Sequence, residues 1–181
     1  MVSSDAALER ARSLGVTLRA MEALAKAVDL ERTEWVVAGL GPMRKEVEEA
    51  LAKSVRHLHL PGPVPPEGVP ELLANADVVT AYEKETRGLT VLEALASGVP
   101  VLAPRAGAIP DIVVDGHNGV LHPPRDTDAF VARFRRLVED QPFRDTLAER
   151  TRPSVEHLDW DLVVRNWLEV IERLANERAL R

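Results

Sequence analysis

Cysteine is absent from the 181 residues. That removes disulfides, thiol nucleophiles and thiolate metal sites together. No apolar run approaches the ~18–20 residues needed to cross a bilayer. The opening residues, Met1 to Asp5, lack the basic and apolar regions of a secretory signal, so a cytoplasmic setting is expected. A basic block is missing as well. Lys plus Arg is 23 against 29 Asp plus Glu, a net charge of −6. An acidic chain of this kind is a poor nucleic-acid binder. No internal repeat and no low-complexity tract interrupts the sequence. What is present is ordinary globular composition, 45% apolar and 29% charged, enough to bury one core at this length.

Apolar patterning predicts helices over 5–14 and 18–28, the latter from Leu18, Met21, Leu24 and Val28. Short apolar runs then alternate with helical stretches. Strands are predicted at 35–38, 55–60, 76–81, 99–103 and 120–121. Helices are predicted from Pro42, over 69–75, over 90–97 and over 109–114, and 127–179 reads as helix broken near Pro142 and Pro153. Strands alternating with helices predict an α/β fold, a Rossmann-like parallel sheet covered on both faces. Such a sheet normally opens with a central strand. Residues 1–17 offer almost no β-branched residues for one, so the sheet is expected to lack its first strand. The expected division is an N-terminal helical segment or remnant, 1–16, and a nucleotide-binding domain with a helical tail, 17–181.

The densest chemical signal is Glu85-Thr-Arg-Gly88-Leu-Thr-Val-Leu-Glu93. It falls between a predicted strand and a predicted helix, beyond the carboxyl end of the strand, where open parallel sheets bind ligands. Gly88 permits close backbone approach. Leu89, Thr90 and Val91 then present amides at a helix N-terminus, a setting that favours an anion such as a diphosphate. Glu85 and Glu93 supply carboxylate acceptors suited to sugar hydroxyls. The same residues carry a plainer reading: Thr90-Val-Leu-Glu93 has the S/T-x-x-E spacing of a capping box, which would leave Glu93 a structural role only. Other patterns are weaker. Gly39-Leu-Gly41 has Arg44 where a dinucleotide fingerprint needs its third glycine. His57 and His59 share a strand face without a third ligand, so no metal site is expected. Arg133 to Arg136 read as a solvated helix face. The spacing from Leu162 to Leu174 reads as a helix docked on the core.

From 17 to about 176 the chain resembles the C-terminal, donor-binding half of GT-B fold glycosyltransferases of the "glycosyl transferases group 1" family. Glu85 and Glu93 stand as that family's E-x7-E pair, followed by Leu92-Glu-Ala-Leu-Ala-Ser-Gly98-Val-Pro-Val101, Gly107-Ala-Ile-Pro-Asp-Ile-Val113 and Asp115-Gly-His-Asn-Gly-Val120. Gly39-Leu-Gly-Pro42 and Asp159-Trp160 complete the order. The resemblance implies retaining transfer from a nucleotide-diphosphate sugar, bound as substrate, with no metal or other cofactor. It implies that Glu93 bonds the ribose, that Glu85 orients the donor sugar as the catalytic carboxylate, and that the backbone of Gly88, Leu89 and Thr90 holds the diphosphate. It further implies an acceptor-binding half on a partner chain or elsewhere, against which the last helix packs. Self-association is the other expected cover for an incomplete sheet. The departures are Arg87 for the family's Phe, Ala81-Tyr82 for its Pro-Ser, and Leu14 where its diphosphate-clamping Lys stands. They leave a second reading beside the first: a non-catalytic, glycosyltransferase-like binding or assembly module.

Overall fold

The computed structural model describes residues 33–38, 45, 48–49, 58–81 and 88–179. Strand β1 (Trp35–Ala38) pairs in parallel with β2 (Leu58–Gly62). Strands β3 (Val79–Thr80), β4 (Val101–Pro104) and β5 (Gly119–His122) form a second parallel ladder in that order. Among the described residues no hydrogen-bonded strand pair joins the two ladders. Helices α1 (Val69–Ala74), α2 (Leu89–Ala96) and α3 (Ile109–Ile112) connect successive strands from β2 onward. Three more follow β5: α4 (Thr127–Glu139), α5 (Gln141–Val155) and α6 (Trp160–Ala179). None of the described helices is long and apolar enough to cross a membrane. The helices expected before residue 33, the 16/17 boundary, the Gly39–Pro42 turn and His57 lie outside the described residues.

Every residue of β4 and β5 is buried. Successive side chains point to opposite faces. Leu102 and Val120 pack on Phe130, Phe134 and Leu137 of α4 and Leu147 of α5. Val101, Ala103 and Leu121 face the other way, onto Val91 and Leu95 of α2 and onto Ile109 and Val113. Coverage on both faces is why these strands read as unbroken apolar runs. Trp35 of β1 joins the first cluster, its ring centroid 5.4 Å from that of Phe134. The two ladders therefore share one core although their strands are not paired to each other.

Several elements depart from the sequence expectation. Strand β3 is two residues long, not six. Its ladder runs from Val79 N–H to Pro100 O and from Ala81 N–H to Leu102 O. The next rung needs an N–H at position 104, and proline has none. Strand β2 runs on through Pro61 and Gly62. The register slips between Val36 and Ala38 on the partner strand, and proline is tolerated at such an irregularity. Pro142 opens α5 as expected, with Asp140 accepting from Phe143 N–H at 3.1 Å. Pro153 does not break the chain; it lies inside the last turn of α5. Arg133 is not solvated with its neighbours: it is half-buried and donates to the Leu121 carbonyl. Helix α6 is not docked on the core, since Trp160 is 79% and Trp167 65% exposed.

One buried polar knot holds the turn before β5. Asn118, fully buried, accepts from Val114 N–H at 2.8 Å and donates to Ile112 O at 3.1 Å and Ser154 Oγ at 2.8 Å. Asn118→Ala should cost about 1–2 kcal/mol, because it strands the part-buried Val114 N–H and Ile112 carbonyl and leaves a cavity at a fully buried side chain; urea unfolding reads this directly.

Candidate functional site

The C-terminal ends of β3, β4 and β5 form one rim, because all three strands run parallel. Helix α2 begins on that rim, one loop after β3. Its N-cap is Gly88, buried, with φ +67° and ψ 18°. L-residues with a side chain rarely adopt this left-handed conformation. A second constraint coincides with it: a Cβ on Gly88 would lie 2.9 Å from Ile112 Cδ1 of α3. The loop glycine is thus fixed both by backbone conformation and by contact with the next helix.

The first helical bond of α2 runs from Leu92 N–H to Gly88 O at 2.8 Å. The amides of Leu89, Thr90 and Val91 precede it and have no carbonyl within the helix to serve. Glycine at the N-cap also offers no side-chain acceptor. Val91, Ala94 and Leu95 bury one face of α2. Leu89, Thr90 and Glu93 lie together on the opposite, exposed face. This geometry contradicts the capping-box reading. Thr90 is the second residue inside the helix, not its N-cap, so Glu93 stands two residues past the third helical position that closes a box. The Glu93 carboxylate makes no hydrogen bond or ion pair with any described residue. Its backbone carbonyl does accept, from Ser97 N–H and Oγ. The structure thus brings Gly88, Leu89, Thr90 and Glu93 together; Glu85 and Arg87 lie outside the described residues.

Neighbouring charges are engaged elsewhere. Arg105, just past β4, pairs with Asp115 at 3.1 Å, and Asp115 also accepts from Leu121 N–H. His59 pairs with Glu34 at 3.0 Å on the far ladder. Among the described residues no cluster of three His, Cys, Asp or Glu side chains could hold a metal ion.

His122, fully buried at the end of β5, escaped sequence reasoning. Only its place in an apolar strand signalled it. The ring packs edge-on to Phe130, centroids 5.1 Å apart. Burial holds its pKa below the usual 6.5; the Pro123 and Ala81 carbonyls and Asp126 oppose that shift, and Arg133 adds to it. A lowered folded pKa means the unfolded chain takes up the proton first as pH falls. The contribution to stability is therefore complete above about 6.5 and is lost as pH drops through the folded value. Chemical denaturation at pH 7.5 and at pH 5 should show this loss, and His122→Gln should reduce it.

A glycine-opened helix at the C-terminal rim of a parallel α/β ladder stands where open sheets of this kind bind ligands. Comparison with known proteins places it further. The family profile "Glycosyl transferases group 1" matches residues 5–153, and the chain belongs to that family. It is 33% identical over 147 residues to sulfoquinovosyl transferase SQD2 of Arabidopsis thaliana, covering 78% of this chain and 28% of that one. Among solved structures, the C-terminal domain of a glycosyl transferase group 1 family protein, LpcC of Francisella tularensis, superposes with TM-score 0.66 at 27% identity, covering 77% of this chain and 76% of that one. Anabaena Alr3699/HepE, solved with UDP and glucose, gives TM-score 0.70 at 23% identity, over 87% of this chain and 44% of that one. The fold is the C-terminal half of the GT-B architecture. The chain spans well under half the length of the curated relatives it matches.

Proposed function

We propose that this chain binds a nucleotide-diphosphate sugar at the N-terminus of α2 and serves as the donor half of a retaining glycosyltransferase. The observation that carries the reading is Glu93. Its exposed carboxylate is not needed by the helix and shares a face with the first-turn amides that Gly88 opens. Carboxylates accept from vicinal hydroxyls, so Glu93 takes the ribose. The amides of Leu89 and Thr90 and the Gly88 backbone receive the diphosphate, where helix N–H groups and the macrodipole favour negative charge. Those donors stabilise the diphosphate most as it leaves, which is the moment that matters for rate. Glu85 orients the donor sugar. Transfer needs an acceptor-binding half, and the exposed apolar face of α6 is the surface offered to it or to a second copy.

The neighbour solved with UDP makes UDP the first nucleotide to test. Calorimetric titration with UDP, GDP and ADP should give one clear binder. Binding is expected to survive EDTA unchanged, because the proposed contacts are amides and a carboxylate and need no bridging cation. A complete loss of binding in EDTA would remove the metal-free part of the reading. Once an acceptor half is supplied, proton NMR of the new anomeric centre decides retention against inversion.

A further inference from the structure

We propose that His122 is a positioning residue that supplies, through Nε2–H, the hydrogen bond that Pro104 cannot give to Ala81 O. Three observations converge. The parallel register pairs Val79 with Val101 and Thr80 with Leu102, and Ala81 N–H bonds Leu102 O at 2.9 Å. In that pattern the next donor, to Ala81 O, is the N–H of residue 104. Residue 104 is proline, and no other donor to Ala81 O occurs among the described residues. Pro104 is in turn the register partner of His122 on β5. From there the imidazole reaches past the proline to place Nε2 3.4 Å from Ala81 O. A half-buried carbonyl left without a donor is costly, so a side chain brought in from the neighbouring strand has a clear physical use.

The place matters because Ala81 directly follows β3 at the rim where Gly88 opens α2. Holding the Ala81 carbonyl fixes the C-terminal end of β3 at that rim. The functional consequence rests on the donor-site reading above; the hydrogen bond itself does not. Nδ1 lies 2.9 Å from Pro123 O, so the Pro123 and Ala81 carbonyls compete for the single proton of the neutral ring. A neutral ring has one N–H and serves one carbonyl at a time, while a charged ring serves both. Among the described residues, Arg133 of α4 and Asp126 at its N-cap act on the ring by charge, with opposite effects on the proton.

The test is nitrogen-15 NMR of the folded chain, with the His122 ring assigned by its disappearance in His122→Gln. Nε2 should carry a proton at pH 6–7.5. A pure Nδ1–H tautomer with bare Nε2 over that range overturns the proposal. Hydrogen exchange supplies the second readout. His122→Val should speed exchange of the Ala81 amide about fivefold or more, because losing the part-buried bond at its carbonyl loosens the end of β3. His122→Gln, which can donate from its amide, should restore the slower rate. Equal exchange in His122→Val and the parent overturns the proposal, and so does failure of the glutamine rescue. Nucleotide titration separates the two readings. Binding by the parent that weakens in His122→Val supports the positioning role. Equal binding by both limits His122 to the sheet and overturns that role. Absence of binding by the folded parent overturns the donor site while leaving the hydrogen bond to the NMR result.

Discussion

Gly88→Ala should destabilise the chain by about 1–3 kcal/mol, mostly a left-handed backbone penalty with a smaller share from displacing the Ile112 terminal methyl. Nucleotide affinity should fall at least about tenfold, since a 1.4 kcal/mol loss is already a factor of ten. Both effects have one origin. The φ of +67° is forbidding to a Cβ, and that Cβ would also press on Ile112 Cδ1 at 2.9 Å. The Ile112 terminal methyl can yield by a side-chain rotation, but the strained φ is relieved only by turning the backbone that opens α2, which displaces the amides proposed to hold the diphosphate. Gly98 is the internal control. It too has positive φ, +85°, but nothing lies within 4 Å of its would-be Cβ. Gly98→Ala should therefore cost only the backbone share, about 1–2 kcal/mol, and leave binding alone. Thermal melts with and without nucleotide separate the two variants. Equal binding losses in both would show that general destabilisation, not the geometry at α2, was being read.

Glu93→Gln should weaken nucleotide binding by about 1–3 kcal/mol, roughly 5- to 150-fold, through loss of charge-assisted bonds to the ribose. Its effect on the melting temperature in the absence of ligand should be negligible. The side chain is exposed and makes no bond to any described residue. The amide keeps the shape and loses the charge, so the two readings of this residue part cleanly. A variant that melts lower yet binds like the parent would make Glu93 a structural residue after all.

The contrast over Glu93 shows what a sequence exposes and what it hides. Thr90-x-x-Glu93 is a local pattern, and local patterns of that kind recur without their geometry. The helix start was decided instead by Gly88, through its backbone conformation and its contact with Ile112, which is 24 residues further along the chain. Strands β4 and β5 were legible because double burial leaves an unbroken apolar run; β1 was legible from its apolar run alone, although its alternate residues are exposed. Strand β3 was overestimated because its length depends on a proline in its neighbour, a long-range fact. The same held for Arg133, which looks solvated in its own helix but reaches across to the Leu121 carbonyl. Apolar spacing in α6 revealed an amphipathic helix correctly. It could not say whether this chain supplies the surface that helix covers.

The most direct test of the donor site is a thermal melt of the purified chain, alone and with millimolar UDP, GDP or ADP. A ligand that binds only the folded state raises stability by about 2.7 kcal/mol at one hundred times its Kd. The expected result is a cooperative melt raised by one nucleotide in the parent and raised much less in Glu93→Gln. A cooperative melt that none of the three nucleotides moves would contradict a donor site at the N-terminus of α2.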